Sequence, residues 1–479
     1  MSIARLAPEV QQIQQSAPFI DTYTDAATTL LRARPVEQHA TLTMPHAHPP
    51  PKRWTSPRGW GARHINDDAP FNLWDEAKRD YRFLKKGAEY DWCRDKFGDG
   101  QIASYGWFMT IDTKSPPKPV PLTVGCMPVI FTNMGEKLWS LTPKTCYANP
   151  RVSNPCPEVQ WERMTSPTKD QNIAILTALE PLANVRAIIY MPHWTIVELE
   201  YGDGRVYQPG SLPGTVGVRT TLYHHEEEPF YKTLSKMTCH RRLDPTQQSG
   251  ASDPTPQDTT NYIQECAFVS PGCRLESGLG MVGSQNERVN AATSAGVKLW
   301  NINGKEALTV SHHGFLNSKE VYHPFASGVK IGEVFDERPE LDISLVELVS
   351  DVSRKFRNDC YFQGETPKLL LRGSDIVKGS WFEVDGMSSG LVSLLTYASV
   401  FCKPPRPLGH PEIDYRHWES HSLSAMFGVV NNTICEGMCG APIVECESGG
   451  VAGFFHLSDG FNCLAAQLDD LVAEGWQIA

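Results

Sequence analysis

No run of about 18 apolar residues occurs in this chain, which argues against a transmembrane helix. Lysine and arginine never gather into a basic block, and the net charge is −11. Nucleic acid and anionic membranes are therefore not expected partners, because phosphate affinity is built from clustered cations. Residues 1–30 lack a continuous apolar core and include the glutamine-rich Gln11–Gln15, which does not suit a secretory signal. The 13 cysteines are odd in number, irregular in spacing and without a single Cys-x-x-Cys pair. That pattern predicts reduced thiols in a cytoplasmic protein rather than a disulfide framework. No internal repeat is evident.

What is present is an ordinary globular composition, 41% apolar and 21% charged, in 479 residues. That length suits about two to four domains. Residues 1–119 form a partly irregular, proline-rich N-terminal region; His46–Lys52 and Ser115–Pro121 favour extended connections. Asp75–Asp95, charged and aromatic, is expected to be helical in part. Residues 120–243 read as an α+β accessory domain. Gln171–Leu182 carries apolar residues at helical spacing behind Ser166-Pro167-Thr168, and Val185–Met191 and Thr195–Tyr201 read as strands. Gly202-Asp203-Gly204 predicts a hairpin into Arg205–Gln208. Residues 244–262, polar and interrupted by proline, read as a linker. Residues 263–479 read as the last domain, strand-rich after residue 285. Asn303-Gly304 predicts a type I′ hairpin between Ala295–Trp300 and Lys305–Ser311. Further strands are expected at Val329–Phe335, Leu341–Leu348, Ile443–Cys446 and Val451–Leu457. Leu464–Trp476 spaces its apolar residues on one helical face, which predicts a closing amphipathic helix.

Hydrolysis of an amide by a side-chain nucleophile needs a base, a carboxylate to orient that base, and backbone N–H groups for the oxyanion. Three segments supply such residues in order: Thr309-Val310-Ser311-His312, Asp342-Ile343-Ser344-Leu345 and Gly437-Met438-Cys439-Gly440-Ala441-Pro442. A thiol beside an imidazole persists as thiolate, so cysteine depends less on the base than serine does.

These segments resemble the trypsin/chymotrypsin superfamily, in particular its cysteine-nucleophile branch as found in picornavirus-type proteases. The likeness covers residues 285–479; the whole chain also resembles uncharacterised filamentous-fungal proteins, which adds no chemistry. The resemblance implies an all-β double six-stranded antiparallel barrel with a C-terminal helix, the site lying in the cleft between barrels. It implies Cys439 as nucleophile, His312 as base, Asp342 as the orienting acid, and the N–H groups of Gly437 and Cys439 as oxyanion hole. His313 rivals His312 as base, the Thr-x-x-His register favouring His312. Met438 replaces the aspartate that captures a new N-terminus in secreted enzymes, which implies a preformed site. Thr433 replaces the acidic pocket residue of trypsin-like enzymes. Val451–Leu457 resembles the pocket-lining strand, placing His456 and Leu457 at the specificity pocket. A protein or peptide substrate is implied, with no metal or organic cofactor, and a protein partner is expected for the N-terminal region.

Other readings stand beside this one. A protease-like fold whose chemistry has lapsed would serve as a binding module or scaffold. Cys435, Cys439, Cys446, His456 and Cys463 offer zinc-ligand types without the usual close pairs. Gly386-Met387-Ser388-Ser389-Gly390 matches a nucleophile elbow, with Asp414, His417 and His421 downstream. His224-His225-Glu226-Glu227-Glu228 reads as a solvated acidic loop rather than a metal site.

Overall fold

Short runs rich in valine, isoleucine and leucine become strands in this chain, and the helices among the described residues are few and brief. The computed structural model describes residues 69–132, 167–227, 241–243, 269–403, 414–422 and 437–479, with short interruptions inside these ranges. The expected N-terminal extended segments, the 244–262 linker and Thr433 lie outside the described residues. No helix among the described residues is long and apolar enough to cross a membrane.

Residues 69–132 form a small four-stranded sheet and the helix Ala88–Phe97, which overlaps the charged segment Asp75–Asp95 expected to be partly helical and runs two residues past it. Helix α1 (Lys169–Leu179) begins at Thr168 with a reciprocal cap. Thr168 Oγ1 accepts from Gln171 N at 3.3 Å, and Gln171 Oε1 accepts from Thr168 N at 2.9 Å. Its buried face, Asn172, Ile175 and Leu179, turns toward strands β1 (Val185–Tyr190), β2 (Thr195–Leu199) and β3 (Arg219–His224). The expected hairpin at 202–204 does not form. Residues 205–208 carry no strand, and β2 pairs instead with β1 and, in parallel, with β3. A parallel partner buries both edges of β2, which suits its five fully buried residues. His224 is buried at the end of β3 rather than solvated.

The rest of the chain builds two large antiparallel assemblies. In the first, β4 (Arg274–Ser277), β5 (Glu287–Ser294), β6 (Lys298–Trp300), β7 (Glu306–Ser311), β8 (Glu320–His323), β9 (Val329–Arg338) and β10 (Ile343–Leu348) pair in the order β5-β4-β8-β9-β10-β7-β6. In the second, β11 (Trp381–Gly386), β12 (Gly390–Cys402), β13 (Arg416–Ser422), β14 (Pro442–Glu445), β15 (Gly450–Phe454) and β16 (Asn462–Ala466) pair as β15-β14-β11-β12-β13-β16. The expected double barrel is thus approached by a strand-rich architecture, but no ladder among the described residues closes either run. β12 also pairs through Ser399–Cys402 with β1, so the accessory strands continue the second sheet.

Two local expectations change. The Asn303-Gly304 hairpin is a type I turn ending in a bulge: Gly304 N donates to Asn301 O at 2.8 Å, and only Gly304, with φ 76°, is left-handed. Trp300 faces Glu306 across it. The closing amphipathic helix is absent as such. Residues 462–466 form β16 against β13, because Cys463, Leu464, Ala465 and Ala466 are buried on every side rather than along one face. Helix α2 is confined to Asp469–Ala473, and β17 (Gln477–Ile478) then pairs with β6.

Candidate active site

The β7–β10 ladder determines which residues meet. Ser311 pairs with Ile343, and the ladder runs one residue further, His312 N donating to Asp342 O at 3.0 Å. The chain leaves the ladder there in a turn of 3₁₀ helix (His312–Phe315), which presents the next residue, His313, to the Asp342 carboxylate. His313 N donates to Asp342 Oδ1 at 2.9 Å, and His313 Nδ1 lies 2.7 Å from Oδ2. His312, expected to be the base, pairs its Nδ1 with Ser344 Oγ at 3.1 Å. The orienting contact expected for His312 is therefore made by its rival.

Asp342 sits between a turn of 3₁₀ helix (Pro339–Leu341) and β10, in the left-handed region at φ 53° and ψ 39°. A short side chain that bonds locally tolerates this conformation, a reason for aspartate here. The carboxyl group is 5% exposed. Burial alone would raise its pKa, but the charges and hydrogen bonds of His313 and His456 hold it well below the usual carboxylate range.

The second sheet brings the cysteine. Gly437 and Gly440 have φ values of 101° and 89°, which let residues 437–441 turn sharply before β14. At Gly440 a side chain would also collide with Ser294 O, 2.6 Å from an added Cβ. Ser294, at the end of β5, clasps this loop: its N–H donates to Cys439 O and its Oγ–H to Gly437 O, each at 2.9 Å. Gly440 N donates to Phe455 O at 2.9 Å, and Phe455 N to Ala441 O at 2.8 Å. Cys439 is 1% exposed, and its thiol donates to the His456 carbonyl oxygen at 3.3 Å.

His456 follows β15 and turns inward. Its Nδ1 lies 3.0 Å from Asp342 Oδ2, its ring meets the edge of Trp418 at a centroid distance of 5.4 Å, and His313 lies 5.5 Å away. The structure therefore links Cys439 through His456 to Asp342 and His313, with Ser294 as a clasp on the loop from Gly437. Leu457 is buried beside Leu464. Sequence reasoning missed Ser294 and the contact of His456 with the acid; both depend on pairing between sheets, which no local pattern records.

The rival constellations do not assemble. Among the described residues, Cys439, Cys446, His456 and Cys463 do not converge as metal ligands; the grouping that does is His313, Asp342 and His456. Cys435 lies outside the described residues. Gly386 and Gly390 face each other across the β11–β12 hairpin, so no strand–elbow–helix surrounds them. Asp414 pairs with Lys169 at the surface, and His421 bonds Thr396 inside.

No protein-family model matches the chain, and no curated protein matches its sequence. Some solved structures resemble part of it. A glutamic acid specific serine protease that uses a histidine triad in substrate binding is 16% identical, covers 44% of this chain and 100% of its own, and has a TM-score of 0.32. A Nocardiopsis protease is 13% identical over 42% of this chain and 97% of its own, with a TM-score of 0.24. The HtrA-type protease AlgW with a decapeptide is 13% identical over 45% and 66%, with a TM-score of 0.26. Likenesses this slight assign neither a family nor an activity.

Proposed function

We infer that the chain is a cysteine endopeptidase with Cys439 as nucleophile, His313 as base and Asp342 as the orienting acid. The observation that carries this reading is the double hold of Asp342 on His313, backbone to one oxygen and ring to the other. A carboxylate so placed fixes the tautomer and keeps the proton on Nδ1, leaving Nε2 as the basic atom. The thiol passes its proton to that nitrogen and attacks a peptide carbonyl. The N–H groups of Gly437 and Cys439 receive the oxyanion, the amine leaves with the proton held by His313, and water then hydrolyses the thioester. A protein or peptide substrate suits this chemistry, which calls for no organic cofactor. Residues ahead of 244 are assigned to partner or substrate recruitment.

The burial of Cys439 favours a second reading, a silent protease-like scaffold in which the thiol is packing. Labelling the full chain with a peptide-based thiol electrophile separates the two. Cys439 is expected to react faster than the other cysteines, and His313→Ala to slow it at least a hundredfold, within the usual span of about 10²–10⁴ for a general base. His312→Ala should slow it far less. Equal labelling of all cysteines, unaffected by His313→Ala, would refute the peptidase reading.

A further inference from the structure

His313 and His456 turn the same ring atom, Nδ1, toward the same oxygen, Asp342 Oδ2, at 2.7 and 3.0 Å. The ligand atoms of the three side chains all lie within 4.8 Å of one another. Orienting one base needs one imidazole on a carboxylate. A second imidazole from another sheet, converging on the same atom, is more than the proposed hydrolysis requires.

We propose that His313, Asp342 and His456 form a site for a divalent transition metal of the zinc type. Two imidazoles and one carboxylate are a ligand set that zinc accepts, with a fourth position left for water. Metal–nitrogen and metal–oxygen bonds of about 2.0–2.2 Å in tetrahedral geometry place ligand atoms about 3.3–3.5 Å apart. The carboxylate–imidazole separations of 2.7 and 3.0 Å need to open by about 0.3–0.8 Å, and the two imidazole ligand atoms, within 4.8 Å of each other, need to settle at the same spacing. Asp342 Oδ1 stays held by His313 N at 2.9 Å, the outer support that orients a metal-binding carboxylate. The histidine side chains are 13% and 17% exposed, so the cluster lies just beneath the surface. On binding, the Nδ1 protons shift to Nε2 or leave to solvent.

One consequence rests on the peptidase reading: metal on His313 Nδ1 separates the base from its acid and occupies Nε2 with a proton, so binding turns hydrolysis off. The binding itself does not depend on that reading. The test is calorimetric titration with zinc chloride of the full chain as Cys439→Ala, which removes the nearby thiol as a ligand, and as Cys439→Ala/His456→Ser. The first is expected to bind one more zinc ion, or to bind at this site at least tenfold more tightly. Identical isotherms, in two proteins with the same metal-free melting transition, would overturn the site; Asp342→Asn in the same background is the second check. Peptide hydrolysis with and without zinc keeps the two readings apart. Zinc binding at the site in a wild-type chain that cleaves nothing even when metal-free refutes the peptidase and leaves the metal site standing. Cleavage with no zinc difference between Cys439→Ala and its His456→Ser partner refutes the metal site alone.

Discussion

Two of the buried charge clusters among the described residues are built differently. At Glu419 on β13, Lys378 approaches closely as a salt bridge, Ser399 Oγ donates at 2.7 Å and Gln467 Nε2 at 2.5 Å. Lys378 is also 2.6 Å from Ser399 Oγ. Every partner there is fixed in charge or neutral, and the cluster is closed. At Asp342 both partners are imidazoles, whose ring nitrogens can donate or accept a proton. The first arrangement holds a sheet together. The second can take up and hand on a proton, which is why chemistry is assigned to it and not to the better-bonded cluster.

The comparison can be broken most forcefully at Asp342. Asp342→Asn keeps a short side chain suited to the left-handed backbone but removes the charge, and peptide turnover is expected to fall by about ten-thousandfold, the size seen when a triad acid is made neutral. Folding stability measured alongside should move far less. The converse holds at the other cluster. Lys378→Met leaves Glu419 charged and buried, and is expected to cost about 3–5 kcal/mol in urea denaturation, while Lys378→Met/Glu419→Leu recovers much of it. Cys439 in either variant should keep its labelling rate relative to the other cysteines. If Lys378→Met instead abolished labelling at full stability, the division between holding and reacting would be wrong.

Acid sharpens the contrast by a smaller amount. Burial pushes His417 down to about 4 and His421 to about 3, on the strand that carries Glu419 between them. Both are neutral when folded and protonate near pH 6.5 when unfolded. The unfolded chain therefore binds more protons in that interval, so their contribution to stability is complete above about pH 6.5 and is lost as pH falls toward the folded values. Urea midpoints taken across that range should decline, and His417→Gln/His421→Gln should flatten the decline. An unchanged slope would remove these residues from the account.

The sequence made the strands and the cysteine loop legible because each rests on local chemistry. Thr168 and Gln171 cap α1, Gly304 sits where a turn needs positive φ, and Gly437 and Gly440 bracket Cys439. The choice of base was not legible. A register counted from Thr309 selects His312, but the chain turns into a 3₁₀ helix at His312, and that turn delivers His313 to the acid. The helix read at 464–476 failed for a related reason. Leu464 in a buried strand, Leu471 in a short helix and Trp476 after it happen to share one helical spacing, which periodicity alone cannot separate from a continuous helix. His456 looked like a pocket residue because its partner lies on a different sheet.

The left-handed backbone at Asp342 has a consequence for how this position tolerates change. Two demands fall on one residue: a conformation that branched and long side chains resist, and a carboxylate that reaches two imidazoles. Glycine meets only the first, asparagine meets the first and part of the hydrogen bonding, and glutamate meets neither without strain. Few residues of this chain should accept so short a list of replacements, and the list itself separates what the turn needs from what the chemistry needs.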